Sequence, residues 1–244
     1  MDRKIEELLS IIRDSNRIVF MTGAGVSVPS GIPDFRSNTG LYATPYGGMP
    51  AEEIISHSFF FKNPEVFYKF YREKMVYEDA KPNVIHEAMA LLEKRGKSLG
   101  VITQNIDGLH QDAGSSDVLE LHGTIRKNRC EKCGALFGLE AVTKSSGVPR
   151  CKCGGIIKPV VTLYEEPLDY DCMRKAVDRL RCADTLIVVG TSLVVNPAAS
   201  LVSYFSGNKF VIVTLSTTPY DGYADLIIHE KAEIVFDAIR KEYM

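Results

Sequence analysis

Arg17-Ile18-Val19-Phe20-Met21-Thr22-Gly23-Ala24-Gly25 is a short apolar run, rich in β-branched and aromatic residues, that stops in a pair of glycines. Just upstream, Ile5, Leu8, Leu9 and Ile12 recur at helical spacing, so the first 25 residues read as helix, buried strand and glycine turn. The same apolar signature returns at Leu99 to Thr103, Val118 to Leu121, Thr185 to Val189 and Lys209 to Leu215. Helical patterns lie between several of these runs. One of them, Pro82 to Lys94, places Val84, Ile85, Ala88, Met89 and Leu92 on one side, with proline in its first turn and Gly96 just past its end. Short buried strands that alternate with helices predict an α/β fold, a parallel sheet with helices on both faces.

Two stretches interrupt the alternation. Residues 37–80 hold a Gly/Pro-rich loop and then an aromatic helical pattern from Phe59 to Tyr77; residues 124–157 hold four of the six cysteines. At 244 residues the chain is long enough for a main domain with smaller modules set into it, and it needs no disulfides to bury a core. The expected division is 1–36, 81–123 and 158–244 for the main domain, 37–80 for a loop and helical module, and 124–157 for a cysteine module. A net charge of −2 gives no broad electrostatic footprint for nucleic acid or an anionic membrane. No apolar run approaches the roughly 20 residues of a membrane span, and the N-terminus lacks a signal-peptide pattern. A cytoplasmic location follows as the expectation, with the cysteines reduced.

Cys130-x-x-Cys133, seventeen residues, then Cys151-x-Cys153 approaches the spacing of a four-cysteine zinc site. Two knuckles each offer two thiolates to a tetrahedral ion, with Gly134 and Gly154 permitting the tight turns. Four sulfurs close the shell, so such a metal is structural; four ordinary buried cysteines are the alternative. Cys172 and Cys182 stand alone and read as small core residues.

Candidate ligand-binding residues cluster after strand ends. Gly23-Ala24-Gly25 suits a turn that brings backbone N–H groups to a phosphate, and equally a tight turn without a ligand; a third glycine of the dinucleotide fingerprint is absent, with Val28 in its place. Gly190-Thr191-Ser192 repeats the arrangement after another strand. Asp34-Phe35-Arg36, Gln104-Asn105-Ile106-Asp107 and His122 add polar groups at further strand ends or loops. Each alone fits an ordinary loop residue; together they outline one site.

Taken in order, these motifs resemble the sirtuins. The resemblance rests on Gly23-Ala-Gly-Val-Ser27, Ser30-Gly-Ile-Pro-Asp-Phe-Arg36, Thr103-Gln-Asn-Ile-Asp-Gly-Leu-His110, Leu121-His-Gly123, the cysteine pairs and Gly190-Thr-Ser-Leu-Val194, spread over about residues 18–219. It implies an NAD-dependent protein lysine deacylase of compact bacterial type, on a Rossmann-type domain with a small zinc-binding module and a helical module. It further implies that Gly23, Ala24, Gly25, Ser27, Gln104, Ile106, Gly190, Thr191 and Ser192 bind NAD. Asn105 and Asp107 resemble the family's ribose-positioning and nicotinamide-pocket residues. Asp34, Phe35 and Arg36 resemble its mobile cofactor loop, and His122 its general base. The implied partners are acyl-lysine proteins or peptides, and the products free lysine, nicotinamide and acyl-ADP-ribose. Mono-ADP-ribosyl transfer and a silent NAD-binding module are the competing readings.

The chain departs from the family pattern in places. Thr214 stands where the family has asparagine at the adenine-side ribose, and Thr162 and Glu165 replace a valine and a glycine beside the acyl-lysine. The family's succinyl-preferring members carry Tyr-x-x-Arg in the helical module. Here Tyr68 is followed by Tyr71 and then Arg72. A one-residue step of about 100° predicts that Arg72 points away from Tyr68, which with Glu165 favours an uncharged acyl group.

Overall fold

The computed structural model describes residues 2–244. Its strands are β1 (Ile18–Thr22), β2 (Ser98–Thr103), β3 (Val118–Glu120), β4 (Gly123–Cys130), β5 (Leu136–Phe137), β6 (Ile157–Val161), β7 (Thr185–Val189), β8 (Lys209–Val213) and β9 (Leu226–Ile228). The helices are α1 (Arg3–Asp14), α2 (Ala51–Ile54), α3 (His57–Lys62), α4 (Pro64–Lys74), α5 (Val84–Lys94), α6 (Leu109–Asp112), α7 (Glu140–Thr143), α8 (Tyr170–Cys182) and α9 (Ala232–Tyr243). Six strands form one all-parallel sheet in the order β3-β2-β1-β7-β8-β9. With the β4–β6 insertion set aside, that is the doubly wound order 3-2-1-4-5-6, a Rossmann-type sheet.

The period of two along each strand decides which residue meets which layer. Ile18 and Phe20 of β1, Ile187 and Val189 of β7, and Val211 and Val213 of β8 pack with α1, α5 and α9. Their alternates Val19, Met21, Leu186, Val188, Phe210 and Ile212 pack with α8 and the 3-10 segment Ala199–Tyr204. All five residues of β1 and of β7 are buried, which explains why these runs carry no polar alternation.

The ends of several elements differ from expectation. α5 begins at Val84: the Asn83 side chain accepts the Ile85 N–H and His86 Nδ1 accepts the Asn83 N–H, so a capping box starts the helix and Pro82 lies outside it. The Phe59–Tyr77 pattern is two helices, because Pro64 has no N–H to continue α3 and instead opens α4. β9 lies outside the strands expected from the sequence, its three apolar residues being bounded by Asp225 and His229. Cys182 is exposed at the last turn of α8, not in the core, while Cys172 packs half-buried against it.

The second sheet is antiparallel, in the order β5-β4-β6. Gly123 pairs with Val161 and Cys130 with Ile157, so residues 158–161 belong to this ribbon and not to the parallel sheet. Ile125, Val142 and Val161 share a core with Phe60, Phe67, Tyr68 and Tyr71 of the helical module, which joins the two insertions into one body beside the parallel sheet.

Candidate active site

Strand order in the sheet reverses between β1 and β7, and a cavity of about 1290 Å3 opens at the carboxyl ends of these strands. Small-ligand pockets measure about 300–1,000 Å3, so this one has room for a dinucleotide and the side chain of a second substrate. Gly23-Ala24-Gly25 and Gly190-Thr191-Ser192 meet at its floor. A Cβ on Gly25 would stand 2.7 Å from Gly190 Cα, so glycine is required for the two turns to touch. The Gly23 N–H donates to the Val189 carbonyl (3.2 Å), the Gly25 N–H to Gly190 (2.9 Å) and the Gly190 N–H to Val213 (3.0 Å). These N–H groups, expected to be free for a phosphate, are bonded within the chain: that of Gly25 joins the two turns, and those of Gly23 and Gly190 extend the pairing of β1 with β7 and of β7 with β8. The glycines shape the floor instead of supplying its donors.

Sheet register brings the next residues together. Asn105 Nδ2 donates to Ser27 Oγ (3.0 Å), which donates to Asp107 Oδ2 (2.7 Å). Ser27 and Asn105 are both buried. Asp107 Oδ1 also accepts the Leu109 N–H, so that carboxylate is oriented from two directions, while the Asn105 backbone N–H is held by Thr103 Oγ1 and its side chain by Ser27. Gln104 Nε2 donates to Thr191 Oγ1 (3.0 Å), tying the end of β2 to the end of β7. Ile106 lines the same wall.

His122 enters from the connection between β3 and β4. Its Nδ1 lies 2.9 Å from the Gln104 carbonyl oxygen, and because a carbonyl only accepts, Nδ1 carries the hydrogen. The lone pair is therefore on Nε2. Burial holds the imidazole below its ordinary pKa, opposed in part by the Gln104 bond, so the ring is neutral at neutral pH and able to take a proton.

Asp34, Phe35 and Arg36 lie on a loop that closes on itself: the Leu41 N–H donates to the Asp34 carbonyl (2.7 Å) and the Tyr42 N–H to Phe35 (2.9 Å). All three line the cavity. Asp34 Oδ1 accepts the Ser37 N–H, the Phe35 ring packs 5.4 Å from the Tyr42 ring, and the Arg36 guanidinium lies 5.5 Å from the Tyr42 ring centre. Thr214 is buried at the end of β8 and also lines the cavity. Sequence reasoning missed the neighbouring stretch Glu230–Glu233 at the start of α9, which completes that end of the cleft. A strand end before a helix is the signal, and the shortness of β9 hid it.

On the acyl side the structure corrects the helical argument. Four residues turn a helix by about 400°, a net 40°, so Arg72 shares a face with Tyr68 and its guanidinium lies 5.4 Å from that ring. Neither lines the cavity. Arg72 is held by the carbonyl of Val142 and by Ser145 Oγ, and the buried Tyr68 hydroxyl donates to Ile157. An arginine at this position thus braces α7 and is withheld from the cleft. Glu165 has a left-handed backbone (φ 74°), the conformation that favours the glycine it replaces. Its carboxylate accepts both the Ser58 N–H and the Ser58 hydroxyl (each 2.9 Å), which holds its pKa below the usual range. Thr162 donates its N–H to the His122 carbonyl.

The four cysteine sulfurs lie within 4.8 Å of one another. Cys130 and Cys153 sulfurs are 3.4 Å apart, and those of Cys133 and Cys151 3.7 Å. Sulfurs about 2.3 Å from a tetrahedral zinc stand roughly 3.8 Å from each other, so the cluster fits that ion despite the single residue between Cys151 and Cys153. Gly134 and Gly154 have positive φ, as the knuckle turns require.

Fold and cleft together define a doubly wound dinucleotide-binding protein with a four-cysteine module set beside its cleft. Comparison places it more closely: the Sir2 family model matches residues 23–197. The chain is 52% identical over 239 residues to the NAD-dependent protein deacetylase of Clostridium acetobutylicum, covering 97% of this chain and 98% of that protein. It is 51% identical over 233 residues to that of Clostridium perfringens, covering 94% and 96%. A solved Sir2 with p53 peptide and NAD+ is 39% identical, with a TM-score of 0.87 over 98% of each chain. A Sir2 bound to acetylated peptide is 37% identical, with a TM-score of 0.86 over 98% of each. The chain belongs to the Sir2 family.

Proposed function

We infer that the protein is an NAD-dependent protein lysine deacetylase that transfers the acyl group of an acyl-lysine peptide to ADP-ribose and releases nicotinamide. One observation carries this reading: a single cleft at the strand-order reversal unites the Ser27–Asn105–Asp107 network with a neutral His122 whose tautomer the Gln104 carbonyl fixes.

NAD, when bound, supplies an electrophilic ribose carbon as nicotinamide leaves. The chain's residues account for the remainder. Asp107 and Asn105 are held rigidly enough to orient the carboxamide and the ribose. Phe35 lies on the cleft wall, where it excludes water from the reacting carbon. His122 accepts the proton of a ribose hydroxyl at Nε2, so that this oxygen closes onto the acyl carbon; such a base contributes roughly 10²–10⁴-fold. Gly23, Ala24, Gly25, Gln104, Gly190, Thr191, Ser192 and Thr214 shape the bed of the dinucleotide, and Asp34 and Arg36 border it. Cys130, Cys133, Cys151 and Cys153 would hold zinc as a structural ion, remote from the proton transfer.

The division proposed above is kept with one hinge moved: the parallel-sheet domain resumes after Val161, because β6 completes the cysteine ribbon. A cytoplasmic site of action is proposed with it, since a reducing compartment keeps the thiols of Cys130, Cys133, Cys151 and Cys153 available to a metal. The test is nicotinamide release on mixing NAD with acyl-lysine peptides. Release that depends on acetyl-lysine peptide and exceeds that with succinyl-lysine peptide is expected, since Arg72 is withheld from the cleft. Transfer of label from NAD to protein, or no release, would refute the reading.

A further inference from the structure

The loop bearing Asp34, Phe35 and Arg36 is closed within itself by two backbone bonds, and its Leu41 and Tyr42 side chains pack on the core of the helical module. Among the described residues, the only side-chain hydrogen bond from residues 34–42 to another part of the chain joins the hydroxyls of Tyr42 and Tyr164, 3.0 Å apart. The two ends of that bond are unlike. Tyr42 is joined to the loop: its N–H is bound to the Phe35 carbonyl, its ring packs on Phe35, and Arg36 lies over its face. Tyr164 is a fixed post. Its N–H donates to the Ile55 carbonyl (3.0 Å) and its carbonyl accepts the His57 N–H (2.9 Å). The residues that follow are pinned to the same segment, Glu165 to Ser58 and Glu166 to His57.

We propose that Tyr42 and Tyr164 are positioning residues: their hydroxyl pair fastens the loop to the acyl-side wall and so holds Phe35 and Arg36 in place over the dinucleotide. Either hydroxyl can donate, and burial of Tyr42 keeps its hydroxyl protonated. Both residues line the cavity without reaching the groups assigned to proton transfer or to the carboxamide. The bond acts on the reaction through Phe35 and Arg36, and this role rests on the deacetylase reading. The fastening of the loop does not.

The experiment compares Tyr42→Phe, Tyr164→Phe and the double variant, each of which removes only oxygen. Steady-state nicotinamide release is measured with NAD and with acetyl-lysine peptide varied in turn, and tryptic cleavage after Arg36 is timed in the free protein. Each single variant is expected to raise KM for NAD about 3–10-fold, the range one neutral hydrogen bond commands, with kcat changed less than twofold. Cleavage after Arg36 should accelerate in step. The double variant should be no worse than either single one, because all three lose the same bond. Unchanged cleavage and KM in both single variants, or a double variant equal to the product of the two, overturns the proposal. A wild-type protein that releases no nicotinamide would defeat the functional reading, and the cleavage rates would still decide the latch.

Discussion

Ser27 is a buried residue whose one oxygen serves two partners, and Ser27→Ala removes both bonds while leaving the methylene in place. Asn105 Nδ2 then loses an acceptor at 3.0 Å in a buried setting, Ser27 being 1% exposed and Asn105 7%, and Asp107 Oδ2, half-buried at the cavity wall, loses a donor at 2.7 Å. A neutral bond contributes about 0.5–1.5 kcal/mol and one to a charged group about 1.5–3 kcal/mol, so the pair is worth about 2–4 kcal/mol. Urea denaturation of the ligand-free protein should show a loss of that size. Nicotinamide release should fall by about 10²-fold, because a tenfold change corresponds to about 1.4 kcal/mol and the freed Asn105 and Asp107 no longer meet the substrate pre-oriented. Asn105→Ala breaks one of the same bonds, so the two changes together should cost less than their sum. A stability loss under about 0.5 kcal/mol, or strict additivity of the two variants, would show that Ser27 does not couple these side chains.

His122→Ala should retain NAD affinity by calorimetry and lose about 10²-fold or more in deacylation; because burial depresses its pKa, the acid limb of wild-type kcat/KM should lie below 6.5, and a limb above that value would contradict the geometry at Gln104. Elemental analysis should find one zinc per chain, and strong chelation should unfold the cysteine module; less than about a tenth of an equivalent would refute the site. Stability should also respond to acid through His86 and His110, a buried ring pair 4.8 Å apart that burial holds neutral to about 4 and about 3. The unfolded chain protonates both near 6.5 while the folded one does not, so stability is fully present above that pH and falls by about 2 kcal/mol per histidine between pH 7 and 5. A urea midpoint that stays flat over this window would count against it.

What was legible from residues alone were the features that neighbours in the chain determine. The run from Arg17 to Gly25 had to be a buried strand ending in a turn, since five consecutive apolar or β-branched residues leave no polar face. The four cysteines announced a metal knuckle pair because the ligand spacing of each knuckle is local. The strand-end and loop residues picked out from sequence, from Gly23 to Thr214, line one cavity.

Contacts across the sheet were a different matter, because they depend on strand order and register, which no short window contains. Ser27 meets Asn105 across 78 positions and Gln104 meets Thr191 across 87, and only the parallel pairing of β2 and β7 on either side of β1 puts them within a hydrogen bond. The same pairing turned Gly25 and Gly190 from presumed phosphate donors into a backbone-to-backbone lock. Tyr42 lies in the 37–80 insertion and Tyr164 lies 122 positions away, just past β6; they meet because the Tyr164 backbone is bonded to Ile55 and His57 of that insertion. Sequence periodicity thus determined each layer and turn, while tertiary packing decided which polar groups face one another and which hydrogen His122 keeps.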